Sequence, residues 1–228
     1  MGAVLEMTRG IGYALFSAVA LVLGACGSEK DEASPLMVFG KTLGSVVMGK
    51  GGAAAPAQVS RAELEKLGTP VIMGTIASSG GLLYLVPIAQ QGNVATWSTS
   101  NDITITFRDE VMSQTRGIGP DIMESSVPSR SQLQNPGSTH RRGYTYLDGG
   151  DQLVRFTYDC TVSFAGAETI TVVGRQHSTR HMLEQCTGNR GQFTNEYWFE
   201  TDGKVRKSKE LLISEWGQIE LFRVIDRR

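Results

Sequence analysis

Strong net charge is absent from this chain: 22 lysines and arginines are offset by 23 aspartates and glutamates, which gives a formal charge of −1 at pH 7. Proteins that bind nucleic acid carry clustered positive charge, so nucleic acid is not an expected partner. Histidine is also scarce, with three in 228 residues. His177 and His181 would share one face of a strand, but no third ligand follows in a zinc-type spacing. We therefore expect no metal and no cofactor, and we expect both histidines to be exposed polar side chains.

Long hydrophobic runs are equally rare, and the single one lies at residues 11–25. With about 15 residues it is shorter than the roughly 20 that a membrane-spanning helix needs, which argues against an uncleaved transmembrane anchor. A short apolar run closed by small residues is typical of an export signal. Its end, Leu23-Gly24-Ala25-Cys26, resembles the bacterial lipobox, in which the cysteine thiol receives a diacylglyceryl group. We predict a signal peptide at residues 1–25 and lipidation of Cys26.

Positive charge is scarce ahead of the apolar run, because Arg9 is the only basic residue there and Glu6 opposes it. Initiation at Met7 would give a cleaner positive n-region, which favours Met7 over Met1 as the start. By resemblance to lipoproteins, Gly27 in place of Asp after the cysteine implies sorting to the outer membrane. We expect a protein held in the outer membrane by its N-terminal lipid and facing the periplasm, with residues 26–59 as a flexible tether.

Cysteine occurs only three times. If Cys26 carries lipid, Cys160 and Cys186 remain as an even pair in a compartment that permits oxidation. A metal pair is a weaker alternative, because His177 and His181 with Cys186 do not match a standard zinc spacing. A catalytic thiol would not usually have a second cysteine for a partner. We predict a disulfide between Cys160 and Cys186.

Proline is infrequent, with seven in the chain, whereas glycine occurs 27 times. Turn signals follow one another about every 8–12 residues, a spacing typical of antiparallel all-β domains built from hairpins. We expect turns at Ser79–Gly81, Gln91–Asn93, Asn101–Asp102, Asp148–Asp151, Ala165–Gly166, Gly188–Asn189 and Asp202–Gly203. The predicted fold class is mostly β: antiparallel sheets form a sandwich or half-open barrel with one or two short helices, in a single domain over residues 60–228.

Two segments favour helical turns. Ser60–Glu63 has the spacing of a capping box and Gly68 supplies a stop, so we expect a short helix there. Three prolines between residues 117 and 137 exclude a central strand. That span is therefore predicted to be a long loop with one helical turn, near residues 121–124 or 129–133, and long ordered loops commonly carry function.

Apolar and polar residues alternate along the strands that we expect. The longest alternation runs from Val154 to Phe164. Because successive side chains of a strand point to opposite faces, its even-numbered residues share one face. Cys160 is among them and should point inward, where a structural disulfide belongs.

Charged residues around the long loop form the candidate ligand or partner site. Arg116, Asp121 and Arg142 could bind an acidic sugar there. A buried ion pair that pins the loop explains the same residues equally well, so both interpretations stay open. Asp148 and Asp151 fit turn geometry better than an acid–base pair.

The run Lys204–Lys209 looks like a basic patch for an anionic polymer. On a strand, however, its charges divide between the two faces. Lysines on a solvated edge strand discourage edge pairing and explain the run without a ligand. Aromatic side chains that could stack on sugars are more commonly core residues of a β domain; these are Tyr144, Tyr146, Tyr197, Trp198 and Trp216.

Four blocks of sequence together resemble one family. They are Thr115–Met123, Tyr144–Gln152, Phe193–Trp198 and Gly203–Ser208. In this order behind a lipobox, they resemble the YjbF-type lipoproteins, which are related to the group 4 capsule lipoprotein GfcB. The resemblance implies an outer-membrane lipoprotein in polysaccharide production or export, with export proteins or anionic polysaccharide as partners. It brings no assigned catalytic residue to any position of this chain, so we expect no enzyme.

Two functions remain open. The first is a non-catalytic accessory lipoprotein that binds nascent polysaccharide or an export protein. The second is a periplasmic carrier or chaperone of a lipid-linked ligand. A carrier needs an apolar cavity of roughly several hundred Å³ open to solvent, whereas an accessory protein can have a filled core. An enzyme would need a nucleophile, a base and an orienting group within reach of one another, and the sequence offers no such set.

Overall fold

The computed structural model describes residues 59–213 and 217–226. The predicted signal peptide, Cys26 and the tether up to residue 58 lie outside the described residues. Within those two ranges, no helix has the length and apolar character needed to cross a membrane.

Antiparallel strands dominate the described residues. The strands are β1 (Val71–Ile76), β2 (Leu82–Gln91), β3 (Val94–Ser98), β4 (Thr104–Arg108), β5 (Val111–Arg116), β6 (Glu124–Ser126), β7 (Thr139–Leu147), β8 (Leu153–Val172), β9 (Arg175–Gly188), β10 (Gly191–Phe199), β11 (Val205–Ile213) and β12 (Gly217–Ile225). These twelve strands pair into one sheet in the order β5-β4-β3-β2-β1-β12-β11-β10-β9-β8-β7-β6. Two short helices accompany them in the described ranges, α1 (Arg61–Glu65) before β1 and α2 (Arg130–Leu133) between β6 and β7.

The two strands at the ends of this order, β5 and β6, approach each other and nearly close the sheet into a barrel. The amide of Thr115 donates to the carbonyl of Ile122 over 3.1 Å. The hydroxyl of Ser125 donates to the carbonyl of Ser113 over 2.7 Å. The prediction of a mostly β fold, as a sandwich or half-open barrel with one or two short helices, is confirmed, and the structure selects a nearly closed barrel with two short helices.

The main hydrophobic core fills the interior of the barrel. It draws on strands around the sheet, because alternate residues of each strand point inward. Members of this core include Ile72, Leu85, Trp97, Ile105, Met112, Tyr144, Cys160 and Leu221. Residues of the opposite face of β1 and β2 form a second cluster with α1 and the end of β8, including Leu64, Met73, Tyr84 and Val172.

Hydrogen bonds from Arg61 in α1 connect the elements that form this second cluster. Its guanidinium donates to the carbonyls of Val172 over 2.6 Å, Val173 over 3.0 Å and Val224 over 2.7 Å. The tip of the β8–β9 hairpin is thereby attached to the end of β12. One side chain thus joins segments more than a hundred residues apart in the sequence.

The β8–β9 hairpin is longer than the sequence predicts. A turn at Ala165–Gly166 was expected, but β8 continues through it for 20 residues in all, and the turn lies at Val173–Gly174, where both residues have positive φ. The register shifts at Phe164/Gly166, which marks a β-bulge that reverses the face of the following residues. Phe164, the last residue before the shift, is 49% exposed, so its predicted burial is wrong.

Local signals predicted most of the remaining features. Ser60 and Glu63 form the expected capping box at α1, and Ser129 and Gln132 form a second one at α2. The six other predicted turns all connect consecutive strands. A turn at Asp109–Glu110, where both residues have positive φ, was missed because neither residue type signals a turn as strongly as glycine.

The predicted disulfide is present. Cys160 on β8 and Cys186 on β9 lie directly opposite each other in the register and are joined. Both are 2% exposed, and they belong to the interior core as the alternation predicts.

Candidate functional site

Two of the predicted site residues hold a loop in place. Asp121 accepts hydrogen bonds from the Thr115 hydroxyl over 2.9 Å and from the Gly117 amide over 2.7 Å. Arg116 donates to backbone carbonyls of the same loop, including that of Ile122 over 2.9 Å. Because these bonds link the loop to the end of β5, they support the structural interpretation of Arg116 and Asp121.

The third predicted residue, Arg142, lies elsewhere. Its side chain has no exposed surface, and its guanidinium forms ion pairs with Glu184 on β9 and with Glu210 on β11. A ligand cannot reach this group from solvent. The structure therefore separates Arg142 from Arg116 and Asp121, and the three do not form one ligand site.

Glu184 is the centre of this buried cluster. Its carboxylate accepts from Arg142, from the Asn195 amide over 2.7 Å and from His140 Nε2 at 2.6 Å. Burial by itself opposes ionisation of Glu184, but the charge of Arg142 and these hydrogen bonds outweigh it and hold the pKa of Glu184 below its ordinary value. Glu184 is thus a buried carboxylate paired with a buried cation.

The pKa of Glu210 is shifted in the opposite direction. Burial is the largest influence and raises the pKa of the Glu210 carboxyl, although Arg142 opposes the shift. Its Oε2 accepts from the Tyr197 hydroxyl over 3.1 Å, from the Met112 amide over 3.2 Å and from Arg142 over 3.4 Å. Glu210 therefore links β11 to the edge strand β5 across the barrel interior.

This cluster is suited to holding strands together. His140, Cys160 and Glu184 place potential metal ligand atoms within 4.8 Å of one another. The sulfur of Cys160, however, is bonded to Cys186, and the Glu184 carboxylate is paired with Arg142. The set therefore does not offer the free thiolate that a zinc site of this type requires.

A solvent-accessible cleft lies at one end of the barrel, where β1, β3, β5 and β11 begin and β2, β4 and β12 end. We call it the rim cleft. Its volume is about 390 Å³, which is within the range of small-ligand sites, about 300–1,000 Å³. Trp97 and Phe107, each 5% exposed, line it together with Pro70, Pro87 and Ala95.

Charged residues of both signs complete the rim cleft. Arg130 lies 3.4 Å from Glu110, Arg223 lies 3.5 Å from Glu110 on its other oxygen, and Lys204 lies 3.6 Å from Asp226. The Arg223 guanidinium also lies over the ring of Trp97, 5.5 Å from its centroid. With Asp109, the cleft has three acidic and three basic side chains, together with the amides of Gln90 and Asn93.

The two histidines singled out in the sequence are not exposed. His177 is buried and its Nδ1 lies 2.7 Å from Glu200. His181 stacks on Trp198, with ring centroids 4.2 Å apart, and its Nε2 lies 2.9 Å from Glu196. The expectation of solvated histidines is wrong because Glu200 pairs with His177 and because Glu196 and Trp198 pack against His181.

The basic run also differs from its predicted setting. β11 lies between β10 and β12, so it is a central strand and not a solvated edge. Arg206 is 2% exposed and pairs with Glu200 over 2.5 Å and with Asp226 over 2.9 Å. Lys207 lies over the Trp198 ring, 4.3 Å from its centroid. These cations are paired within the fold and do not form a free basic patch.

Sequence reasoning missed the acidic partners of Arg142 and the rim cleft as a whole. Glu184 and Glu210 occupy inward positions of strands, where a charged residue breaks the expected apolar alternation. That break was the available signal, because an inward carboxylate requires a buried partner. The rim cleft had no comparable signal, since its lining comes from segments that are distant in the sequence.

Comparison with known proteins gives three findings. The family described as "Group 4 capsule polysaccharide lipoprotein gfcB, YjbF" matches residues 40–224. No curated protein matches this chain. The crystal structure of the hypothetical lipoprotein YmcC from Escherichia coli (K12) is similar in fold, with a TM-score of 0.70 at 17% identity, covering 88% of this chain and 98% of that one.

Proposed function

This chain belongs to the YjbF family of group 4 capsule polysaccharide lipoproteins, and we propose that it is a non-catalytic accessory factor in the assembly or export of capsule or exopolysaccharide. It acts from the periplasmic face of the outer membrane, to which the lipid on Cys26 holds it. Its partners are the growing polymer or other proteins of the export apparatus.

The buried charged cluster inside the barrel is the observation that favours this proposal. Arg142, Glu184 and Glu210 lie inside the barrel with no exposed side-chain surface. A carrier of a lipid-linked ligand would need an apolar cavity there, and these charges occupy the interior instead. The rim cleft is no substitute, because half a dozen charged side chains line it.

The same cluster argues against catalysis at its two buried carboxyl groups, whose pKa values are shifted. Shifted pKa values commonly mark active sites, and Glu184 and Glu210 have them. A catalytic acid or base must come within hydrogen-bond reach of its substrate, however, and neither carboxyl has access to solvent. The pKa of Glu184 is lowered by Arg142 and its hydrogen bonds, and the pKa of Glu210 is raised by burial; both shifts follow from a structural role in the interior.

The lipid anchor is tested on protein extracted from membranes. Mass spectrometry of the N-terminal peptide is expected to show an acylated Cys26, and density fractionation is expected to place the protein in the outer membrane. Cys26→Ala is expected to abolish both results. Detection of an intact peptide that spans residues 11–25 would contradict the proposed processing.

The role in the pathway is tested by deleting the gene in its host and measuring surface polysaccharide. We expect the amount to fall while the sugar composition of the repeat unit stays the same, because no chemistry is assigned to the protein. Re-expression of the wild type should restore the amount, and Cys26→Ala should not. An unchanged amount would refute the accessory role, and an altered composition would support an enzyme.

A further inference from the structure

We propose that the rim cleft is a saccharide-binding site that holds a short segment of the polymer by its hydroxyl groups. This inference rests on the proposed function and specifies where the polymer is bound. Three observations support this inference: the residues that line the cleft, the balance of acidic and basic side chains in the cleft, and a second cleft that continues from the first.

The floor of the cleft suits the apolar side of a sugar ring. A pyranose has C–H groups on its faces and hydroxyl groups around its edge, so a site must offer apolar and polar surface side by side. Pro70, Pro87 and Ala95 are partly exposed and supply most of this apolar surface, and Trp97 and Phe107, each 5% exposed, add a little to it. A sugar that covers this surface removes it from water, which favours binding.

The wall of the cleft suits the hydroxyl groups. Carboxylates accept hydrogen bonds, guanidinium and ammonium groups donate them, and side-chain amides do both. Glu110 lies within 3.5 Å of Arg130 and of Arg223, so these ion pairs hold donors and acceptors next to one another before a ligand arrives. Neighbouring hydroxyls of a sugar could bond to both members of such a pair, with little ordering cost on the protein side.

The charge of the cleft excludes two other ligand classes. Its three acidic and three basic side chains give no net charge, so a phosphate group or a densely anionic polymer meets no excess of cations. An acyl chain would have to strip water from these charged side chains without replacing its hydrogen bonds. Sugar hydroxyls replace those bonds and need no net charge.

The position of the cleft suits a chain that continues past the site. A second cleft of about 420 Å³ lies beside it and shares Pro70, Pro87 and Asp226 with it. Gly68 and Thr69 also line this second cleft. A polymer segment could therefore pass from one cleft into the other along the end of the barrel.

The test uses full-length protein in detergent and short oligosaccharides released from the purified exopolysaccharide of the host. Titration calorimetry gives the Kd. The double variant Gln90→Ala/Asn93→Ala removes two amides of the cleft, and both residues are exposed, so the fold should persist. Gln91→Ala is the matched control, because Gln91 is also exposed but does not line the cleft. We expect the double variant to raise Kd about tenfold, from the loss of about one or two hydrogen bonds, and the control to leave it unchanged.

The outcomes separate this proposal from the proposed function. Absence of binding by the wild type, equal affinity of all variants, or equal weakening by Gln91→Ala would each overturn the rim cleft as the site. The deletion phenotype would still stand on its own in each of those cases. Binding that persists in high salt would show recognition of hydroxyls, whereas a steep loss with salt would show recognition of sugar carboxylates by Arg130 or Lys204 and overturn the hydroxyl-based assignment.

Discussion

Arg142 on β7 and Glu184 on β9 form a hydrogen-bonded ion pair in which neither side chain has any exposed surface. The two residues lie 42 positions apart in the sequence, and strand β8 separates their strands in the sheet. The pair therefore crosses part of the barrel interior. Burial opposes the charge of Arg142, but Glu184, followed by smaller contributions from Tyr144, Tyr197 and Glu210, holds the pKa of Arg142 well above its ordinary value.

Replacing Arg142 should destabilise the protein strongly. Arg142→Met leaves the Glu184 carboxylate buried without its cation, and breaking a buried pair in this way costs about 3–5 kcal/mol. The neighbouring Arg141 is the matched control, since its pair with Asp159 is 72% and 79% exposed. Arg141→Ala should change the free energy of unfolding by less than about 1 kcal/mol. Chemical denaturation at pH 7 measures both.

A second variant distinguishes the cost of the unpaired Glu184 carboxylate from the cost of the packing that Arg142 loses. Glu184→Gln in the Arg142→Met background removes the unpaired carboxylate while keeping its shape. It should recover part of the lost stability. A double variant that is less stable than Arg142→Met alone would contradict this account.

Glu210 should make stability fall as pH rises. Burial raises its folded-state pKa above the unfolded value, so the stability it contributes is fully present below the unfolded pKa and is lost as pH rises through the folded pKa. Glu210→Gln cannot ionise, so its stability relative to wild type should improve as pH rises from about 4 to 8. Denaturation midpoints across this range measure the difference.

Glu63 supplies a control of opposite sign for that experiment. The Ser60 hydrogen bonds lower its pKa, so its contribution is present above the unfolded pKa and is lost as pH falls through the folded one. Glu63→Gln should therefore differ from wild type on the neutral side and converge with it in acid. If Glu210→Gln followed the same trend, the raised pKa of Glu210 would be refuted.

The disulfide should contribute substantially to stability. Cys160 and Cys186 are 26 positions apart, and the chain-entropy relation for such a loop gives about 3–4 kcal/mol. Cys160→Ala/Cys186→Ala should lower the free energy of unfolding by an amount of this order. A reducing agent should lower the stability of the wild type and leave the double variant unaffected. Non-reducing peptide mapping that found two free thiols would contradict the pairing.

Asp121 should keep its loop closed. Asp121→Ala removes the acceptor for the Thr115 hydroxyl and the Gly117 amide, and hydrogen bonds to a charged group contribute about 1.5–3 kcal/mol each in favourable cases. We expect faster amide hydrogen exchange over residues 117–122 with the barrel strands unchanged. Asp159→Ala is the control, because Asp159 is 79% exposed. Equal exchange in both variants would show that Asp121 does not pin the loop.

The features that the sequence predicted correctly depend on short-range geometry. The predicted capping box at Ser60 involves a partner three residues away. The turn at Gly92 follows from its positive φ, which glycine adopts at low cost. The inward position of Cys160 follows from strict alternation along one strand. Each signal lies within a few residues, so the local sequence carries it.

One error arose where a single residue changed the register of a strand. The bulge at Phe164/Gly166 lies where a turn was predicted, in the middle of β8. A glycine between two strand segments is compatible with a turn or with a bulge. Only pairing with β9 along the whole hairpin distinguished the two.

By itself the sequence determined the export and lipid-attachment prediction, the antiparallel β class, the cysteine pairing and the family. Each of these predictions depends on a local sequence pattern or on the number and spacing of certain residues along the chain. Tertiary structure alone decided that Arg142 forms an ion pair with Glu184 in the barrel interior. It also decided that one cleft is lined by Trp97, Glu110, Arg130 and Lys204. The physical reason is that burial and charge pairing depend on which strands become neighbours, and that choice is made by the closure of the whole sheet.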